Sequence, residues 1–409
     1  MLRLAAGVRL RREIFGGVVY VAQTDSFFAL DTRCFDALES VALGNMTGKS
    51  GNAEFLTPLV NLGILDDGSH QQFPATYSLP RFVGRFQEVP AVSRPLVVNC
   101  FATAYCPLRC LYCHADDLMA SYRPLEDMKQ IDNVIATAGL VDAMVAVVTG
   151  GDPLTRPERT KRLIPALSKS KALVLDTAGV DPIEPLLDML VEHNVHVRIS
   201  LDAISVTNDV VRPGNRNLGY ATQISRLSVE RTIDVCLRHG IAVTVQTVVS
   251  RFNDSQQEWE QMRTWLIDRG VRQWVFHMLV KGGKARRAQD EKLLKKQKRG
   301  GVFPTYEVRD KLWRFISDTI QRRDPIAIRC TDTDVSPTSV LLVGSAGNLF
   351  TEGRAHNGKV PIYEVGEEEE MLNKRLSYMV DWQGHSQRYL NWNSWQFDRR
   401  SLSDLCIEL

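Results

Sequence analysis

Leu96-Val-Val-Asn-Cys-Phe-Ala-Thr-Ala-Tyr-Cys106-Pro-Leu-Arg-Cys110-Leu-Tyr-Cys113 decides how the rest of the chain is read. It opens on an apolar, β-branched run (Leu96-Val-Val-Asn) of the kind that makes a buried strand. Directly after it come three cysteines at the spacing C-x3-C-x2-C. Thiolates this close on one loop can converge on a single metal centre, and iron–sulfur clusters are held by such cysteines. Three cysteines serve three of the four irons of a cubane and leave the fourth open, the logic that also separates catalytic from structural zinc sites. A zinc reading asks for a fourth ligand, for which His114 is available.

Outward from this stretch the chain alternates strands and helices. Five further strand-like runs follow: Ala143-Met-Val-Ala-Val-Val, Ala172-Leu-Val-Leu, Val195-His-Val-Arg-Ile-Ser-Leu, Ile241-Ala-Val-Thr-Val-Gln-Thr-Val-Val and Gln273-Trp-Val-Phe-His-Met-Leu-Val. Helical patterns lie between them, over 185–193, 228–239 and 256–269. Six such runs call for a parallel sheet with right-handed crossovers, here a partial (β/α)6 barrel of the TIM type over 95–287. Catalytic residues then belong on loops at the C-terminal strand ends, where the cysteines stand.

Both ends of the chain read differently from this middle. Residues 1–75 hold three short strands (Val8–Glu13, Gly17–Ala22, Phe27–Asp31) and a helix capped by Asp31 or Thr32 that carries Phe35, Leu38 and Val41. A second helix ends at Gly63, and Ile64-Leu65-Asp66 can return as a strand, an outline similar to a winged helix. Residues 76–94 form a linker. Residues 288–409 form a small α+β extension with a helix over 306–321. Its hairpin pairs Val340-Leu-Leu-Val with Leu349-Phe-Thr around Gly344-Ser-Ala-Gly-Asn. The class is therefore α/β.

Fifty Lys+Arg against 48 Asp+Glu leave a net charge of +2, which argues against bulk binding to nucleic acid or anionic lipid. The basic run at Lys284–Arg287 and Lys292–Arg299 reads as a solvated face. No apolar run approaches the roughly 18 residues of a membrane span, and Met1-Leu-Arg-Leu-Ala-Ala-Gly lacks a signal-peptide core. A cytoplasmic location follows as the expectation. There the eight cysteines are more often metal ligands or catalysts than disulfides.

C-x3-C-x2-C with an aromatic before the last cysteine resembles the signature of radical S-adenosylmethionine (SAM) enzymes, and the likeness covers the middle segment in the family's order. It implies one [4Fe–4S] cluster on Cys106, Cys110 and Cys113, with SAM bound at the open iron and cleaved to a 5′-deoxyadenosyl radical. Tyr112 matches the aromatic along the adenine. Thr149-Gly150-Gly151-Asp152-Pro153 resembles the family's Gly-Gly-Glu-Pro segment. It implies close backbone approach to SAM at the two glycines and a carboxylate for its ammonium at Asp152. Ile199-Ser200-Leu201-Asp202 with Arg212 resembles the corresponding stretch of the peptide-modifying subfamily, placing Ser200 at the ribose or carboxylate and Arg212 at the carboxylate. Gln246 matches a position lining the site. At the third strand end Thr177-Ala178-Gly179 stands where members often carry Asn-Gly.

The first 75 residues resemble the PqqD-like domain that recognises leader peptides, on Arg9-Leu-Arg-Arg-Glu13-Ile-Phe15-Gly-Gly-Val-Val-Tyr20 and Phe28-Ala-Leu-Asp31. The last segment resembles a SPASM/twitch extension stripped of its cysteines, Cys330 and Cys406 being too few for an auxiliary cluster. The resemblance implies a ribosomally made precursor peptide as substrate, ending in a cross-link, an epimerisation or a backbone change. It also implies an electron donor of flavodoxin or ferredoxin type. Cys330 and Cys236 are candidate hydrogen-atom donors. Two alternatives stand beside this reading: radical SAM chemistry on a small molecule, and a non-catalytic metal-binding protein.

Overall fold

The computed structural model describes residues 2–44, 53–68, 82–119, 126–279, 283–288, 302–305, 307–331, 338–356, 360–390 and 406–407. The charged stretch 292–299 and part of the linker lie outside them. No described helix is long and apolar enough to cross a membrane.

In the N-terminal unit, β1 (Arg3–Leu4) pairs with β5 (Leu65–Asp66), while β2 (Val8–Glu13), β3 (Gly16–Val21) and β4 (Ser26–Asp31) form an antiparallel meander. Asp31 starts α1 (Thr32–Ala42) by accepting the Cys34 N–H at 2.9 Å. The helix buries Cys34, Phe35, Leu38 and Val41 on the sheet. Gly17 admits the Phe35 ring, since a Cβ there would stand 2.1 Å from it. Helix α2 (Ala53–Asn61) follows, and Gly63 turns the chain at φ +70°. Strand β6 (Phe82–Val83) adds parallel to β4, and β16 (Cys406–Ile407) pairs with β6 from the other end of the chain.

The six expected parallel strands are β7 (Val97–Thr103), β8 (Val145–Gly150), β9 (Ala172–Thr177), β10 (His196–Ser200), β11 (Val243–Val249) and β12 (Gln273–Met278), side by side in chain order. This is the α/β partial-barrel arrangement. The segment beyond 287 does not stand apart from it. Strand β13 (Ala327–Thr331) extends the sheet parallel to β12, and β14 (Leu341–Val343), first strand of the expected hairpin with β15 (Leu349–Thr351), joins β7 in parallel.

Alternation along the strands sorts the core. Val98, Cys100, Ala146, Val148, Leu173, Leu175 and Trp274 face the helices. Val97, Val145, Val147, Val174 and Val275 face inward and pack with Tyr20 and Phe27 of the N-terminal sheet and with Tyr389. The N-terminal unit thus closes the floor of the barrel. There Asp25, at φ +45°, buries its carboxylate against Arg198 (2.7 and 2.8 Å) and the Tyr20 hydroxyl (3.0 Å). Arg329 donates to the Asp25 carbonyl at 2.9 Å. Burial opposes ionisation of Asp25, but the Arg198 guanidinium outweighs it and holds the carboxyl well below its usual range.

Candidate active site

The cysteine loop leaves β7 at the C-terminal rim and lies along the segment that follows β10. Arg109 N–H donates to the Pro213 carbonyl at 2.8 Å, Leu111 N–H to Val211 at 2.9 Å, and Asn215 N–H to Pro107 at 2.7 Å. Cys106, Cys110 and Cys113 come together in one packed group with Leu108, Tyr112, Val180 and Val211. Burial pushes all three thiols up, Cys113 to about 12, so the metal-free loop keeps them protonated. A cationic metal centre reverses that, because coordination deprotonates a thiol. Among the described residues no three His, Cys, Asp or Glu side chains converge on a single ion, as a structural zinc would require. A cubane asks for each thiolate on its own iron, and the three cysteines it would need share one packed group. His114 is directed elsewhere, its Nε2 meeting Glu352 at the start of the short helix Glu352–His356.

Gly150 and Gly151 end β8, and the chain's own backbone explains both. A Cβ on Gly150, at φ +137°, would stand 2.3 Å from the Thr103 carbonyl oxygen, and one on Gly151 2.0 Å from that of Tyr105. Gly151 N–H donates to Thr103 and Asp152 N–H to Tyr105, each at 2.7 Å. The glycines therefore press the β8 exit onto the cysteine loop. Asp152 is bonded within the chain. Its carboxylate is fully buried and accepts from Leu154 N–H (2.9 Å), the Thr177 hydroxyl (2.9 and 3.0 Å) and Ala178 N–H (2.7 Å). Burial raises its pKa to about 7. The carboxylate ties the exits of β8 and β9 together, and Thr177, at the strand end lacking Asn-Gly, is its partner.

Arg212 and Asp202 form a buried pair at the rim, Nε to Oδ2 at 2.9 Å and Nη2 to Oδ1 at 3.2 Å. The Tyr112 hydroxyl also reaches Asp202, and the Arg212 guanidinium lies 5.5 Å from the Tyr112 ring centroid. Asp202 further accepts from Val248 N–H at 2.9 Å. Arg212 Nη1 points at the Cys110 sulfur, 4.0 Å away. Ser200, at the end of β10, stands in register opposite Gln246 in the middle of β11, both half-buried. The structure thus brings Tyr112 and Arg212 to the cysteine loop.

Cys236 and Cys330 do not join them. Cys236 is fully buried on the helix Ser225–Arg238, and Cys330 sits between the inward residues Arg329 and Thr331 of β13; both belong to the core between strands and helices. Burial raises Cys236 to about 12 and Cys330 higher still. Both pack as buried apolar side chains. Missed from sequence was Glu126, which accepts from Thr103 Oγ1 at 2.5 Å and Ala104 N–H at 2.7 Å and fixes the start of the cysteine loop. Lys284 was missed too; only the preceding Gly282-Gly283 hinted at a close approach.

Residues 101–266 match the radical SAM superfamily model. The PqqA peptide cyclase of Xanthomonas axonopodis pv. citri is 27% identical over 161 residues, 39% of this chain and 41% of that protein. The pre-heme d1 synthase of Dinoroseobacter shibae is 25% identical over 190 residues, 46% and 45% of the two. The chain therefore spans less than half the length of the curated relatives it matches. The crystal structure of Streptococcus suis SuiB bound to precursor peptide SuiA superposes with a TM-score of 0.59 at 10% identity, covering 91% of this chain and 88% of that one. Native anSMEcpe with bound AdoMet and a peptide gives 0.53 at 13% identity, covering 70% and 82%. The middle of the chain is thus similar to the radical SAM superfamily over residues 101–266.

Proposed function

We propose that the chain is a radical SAM enzyme that modifies a residue of a ribosomally made precursor peptide. The observation that carries it is the convergence of Cys106, Cys110 and Cys113 with Arg212 and Tyr112 at the exit of β7. The three cysteines hold the cluster and leave one iron open. SAM bound there would supply, with the cluster, reductive cleavage of its carbon–sulfur bond and hydrogen abstraction from substrate. The chain's own part is positioning. Arg212 would offer charge for the SAM carboxylate, the Gly150–Gly151 backbone would meet its ammonium, and Ser200 and Gln246 would line the inner wall. Packed Leu108, Val180 and Val211 keep water from the loop.

The peptide half of the reading is supported by the names of the cyclase relatives and by the N-terminal unit, read as a PqqD-like domain. A leader would add as a strand to an outer edge of that sheet, where β2 and the Cys406–Ile407 pair are the outer strands. Residues 288–409 serve as a SPASM/twitch-like extension without an auxiliary cluster, and a flavodoxin or ferredoxin supplies the electron. The outcome is a cross-link, an epimerisation or a backbone change. A small-molecule substrate is the second reading, favoured by the relative named for heme d1 synthesis.

The test is anaerobic reconstitution with dithionite and SAM, following 5′-deoxyadenosine by mass spectrometry for wild type and Cys110→Ala. Formation by wild type and its loss in the variant is the expected result. No product from a fully loaded cluster, with or without a precursor peptide encoded beside the gene, would sink the reading. Unchanged peptide mass and stereochemistry despite turnover would sink the peptide half alone.

A further inference from the structure

Lys284 departs from the solvated face that its basic sequence context suggests. The segment Gly283–Ala288 is folded onto the cysteine loop, with Ala285 fully buried among the loop's apolar neighbours. Gly283 sits at φ +48°, and a Cβ there would stand 2.2 Å from the Cys113 carbonyl oxygen and 2.4 Å from that of His114. No other residue type allows so close an approach without displacing that backbone. The next residue uses the approach twice. Lys284 N–H donates to the Cys113 carbonyl at 3.0 Å, and its ammonium donates to the Cys110 carbonyl at 3.3 Å. One residue therefore pins both ends of the Cys110–Cys113 turn.

Among the described residues, Arg212 and Lys284 both bring a cation to this turn. Arg212 comes from the opposite side, but Asp202 occupies two of its nitrogens. Lys284 is balanced by Asp116, 3.4 Å from the ammonium, and its side chain is 27% exposed. Both groups border the loop. An added electron makes a thiolate-bound cluster more negative. Fixed positive charge nearby favours that state and raises the reduction potential.

We propose that Lys284 is a positioning residue for the iron–sulfur cluster, latching the Cys110–Cys113 turn and holding a positive charge that favours the reduced cluster. The proposal rests on the radical SAM reading, and its test separates the two. The full chain is reconstituted anaerobically as wild type, Lys284→Met, Lys284→Arg and Asp116→Asn, and each is titrated redox-potentiometrically by electron paramagnetic resonance. At equal iron and sulfide content, Lys284→Met should titrate at lower potential than wild type. Lys284→Arg should stay near wild type, and Asp116→Asn should move the opposite way. A latch without electrostatic effect would leave all four alike, and an unchanged potential in Lys284→Met overturns the proposal. Should Lys284→Met fail to load iron, Lys284→Gln keeps a donor for the Cys110 carbonyl without the charge and is judged by the same two outcomes. A wild-type chain that takes up no iron–sulfur cluster overturns the underlying reading instead.

Discussion

The barrel holds two buried groupings of one aspartate, one arginine and one tyrosine, one at each end. On the floor Asp25 meets Arg198 and Tyr20; at the rim Asp202 meets Arg212 and Tyr112. The chemistry is the same and the surroundings differ. Floor groups are used up by the chain itself, with Arg329 on the Asp25 carbonyl and His196 held between Ala22 and Thr244 at 2.8 Å each. At the rim, one guanidinium nitrogen of Arg212 faces a cysteine sulfur. A buried ion pair reads as architecture when every donor ends on the protein, and as a site when one points at a ligand position.

Breaking the floor should cost the most. Asp25→Ala leaves Arg198 and Arg329 buried without their carboxylate, and the expected loss is about 3–5 kcal/mol in denaturant unfolding. A loss under about 1 kcal/mol would remove the contrast drawn here.

The floor should also respond to acid. Burial lowers His196 to about 4, and likewise His385 beneath Ser339, against about 6.5 in an unfolded chain. Between those values the unfolded chain takes up protons that the folded one refuses, so stability falls as pH drops from about 6.5 to 4. Each histidine contributes on the order of 3 kcal/mol at full extent. In urea midpoints measured across that range, His196→Gln should flatten the slope relative to wild type; an unaltered slope would mean that the floor opens to water.

Gly151→Ala sharpens the contrast from the rim side. Its Cβ meets the Tyr105 backbone, so the β8 exit must back away at a cost of roughly 1–3 kcal/mol. The same variant should bind less iron on reconstitution, whereas a floor variant that still folds should load normally. The smallest effect belongs to Arg212→Lys. Fold stability should change little, while SAM affinity by isothermal titration should fall about tenfold, near 1.4 kcal/mol, because an ammonium cannot fork. Equal affinity would place the carboxylate of SAM elsewhere.

Much of the frame was legible because β-branched runs between amphipathic helices leave little choice of partner. Ala327–Thr331 escaped notice for a physical reason: Arg329 interrupts an otherwise apolar strand and makes sense only once Asp25, 304 residues away in sequence, lies beneath it. The cysteine spacing and Gly150–Gly151 announced the site, and Arg212 and Tyr112 arrived beside it. What could not be read was direction. Asp152 and Lys284 have side chains equally suited to solvent, ligand or protein. The long-range contacts, Thr177 for one and the Cys110 carbonyl for the other, decide between these. For the same reason the placement of Cys236 and Cys330 was not legible, since strand parity and helix face turned them outward into the core.

The pairing of β14 with β7 has a consequence for how the protein is made. Asn99 on β7 donates its side-chain amide to Leu341, 242 residues later. At roughly 5–20 residues per second, a ribosome would take about 12–50 s to deliver that partner after β7 emerges. Throughout that interval the strand leading into Cys106, Cys110 and Cys113 has one bare edge, and its thiols lie open to oxidants and to iron alike. Maturation of the nascent chain is therefore a race that the last quarter of the sequence ends.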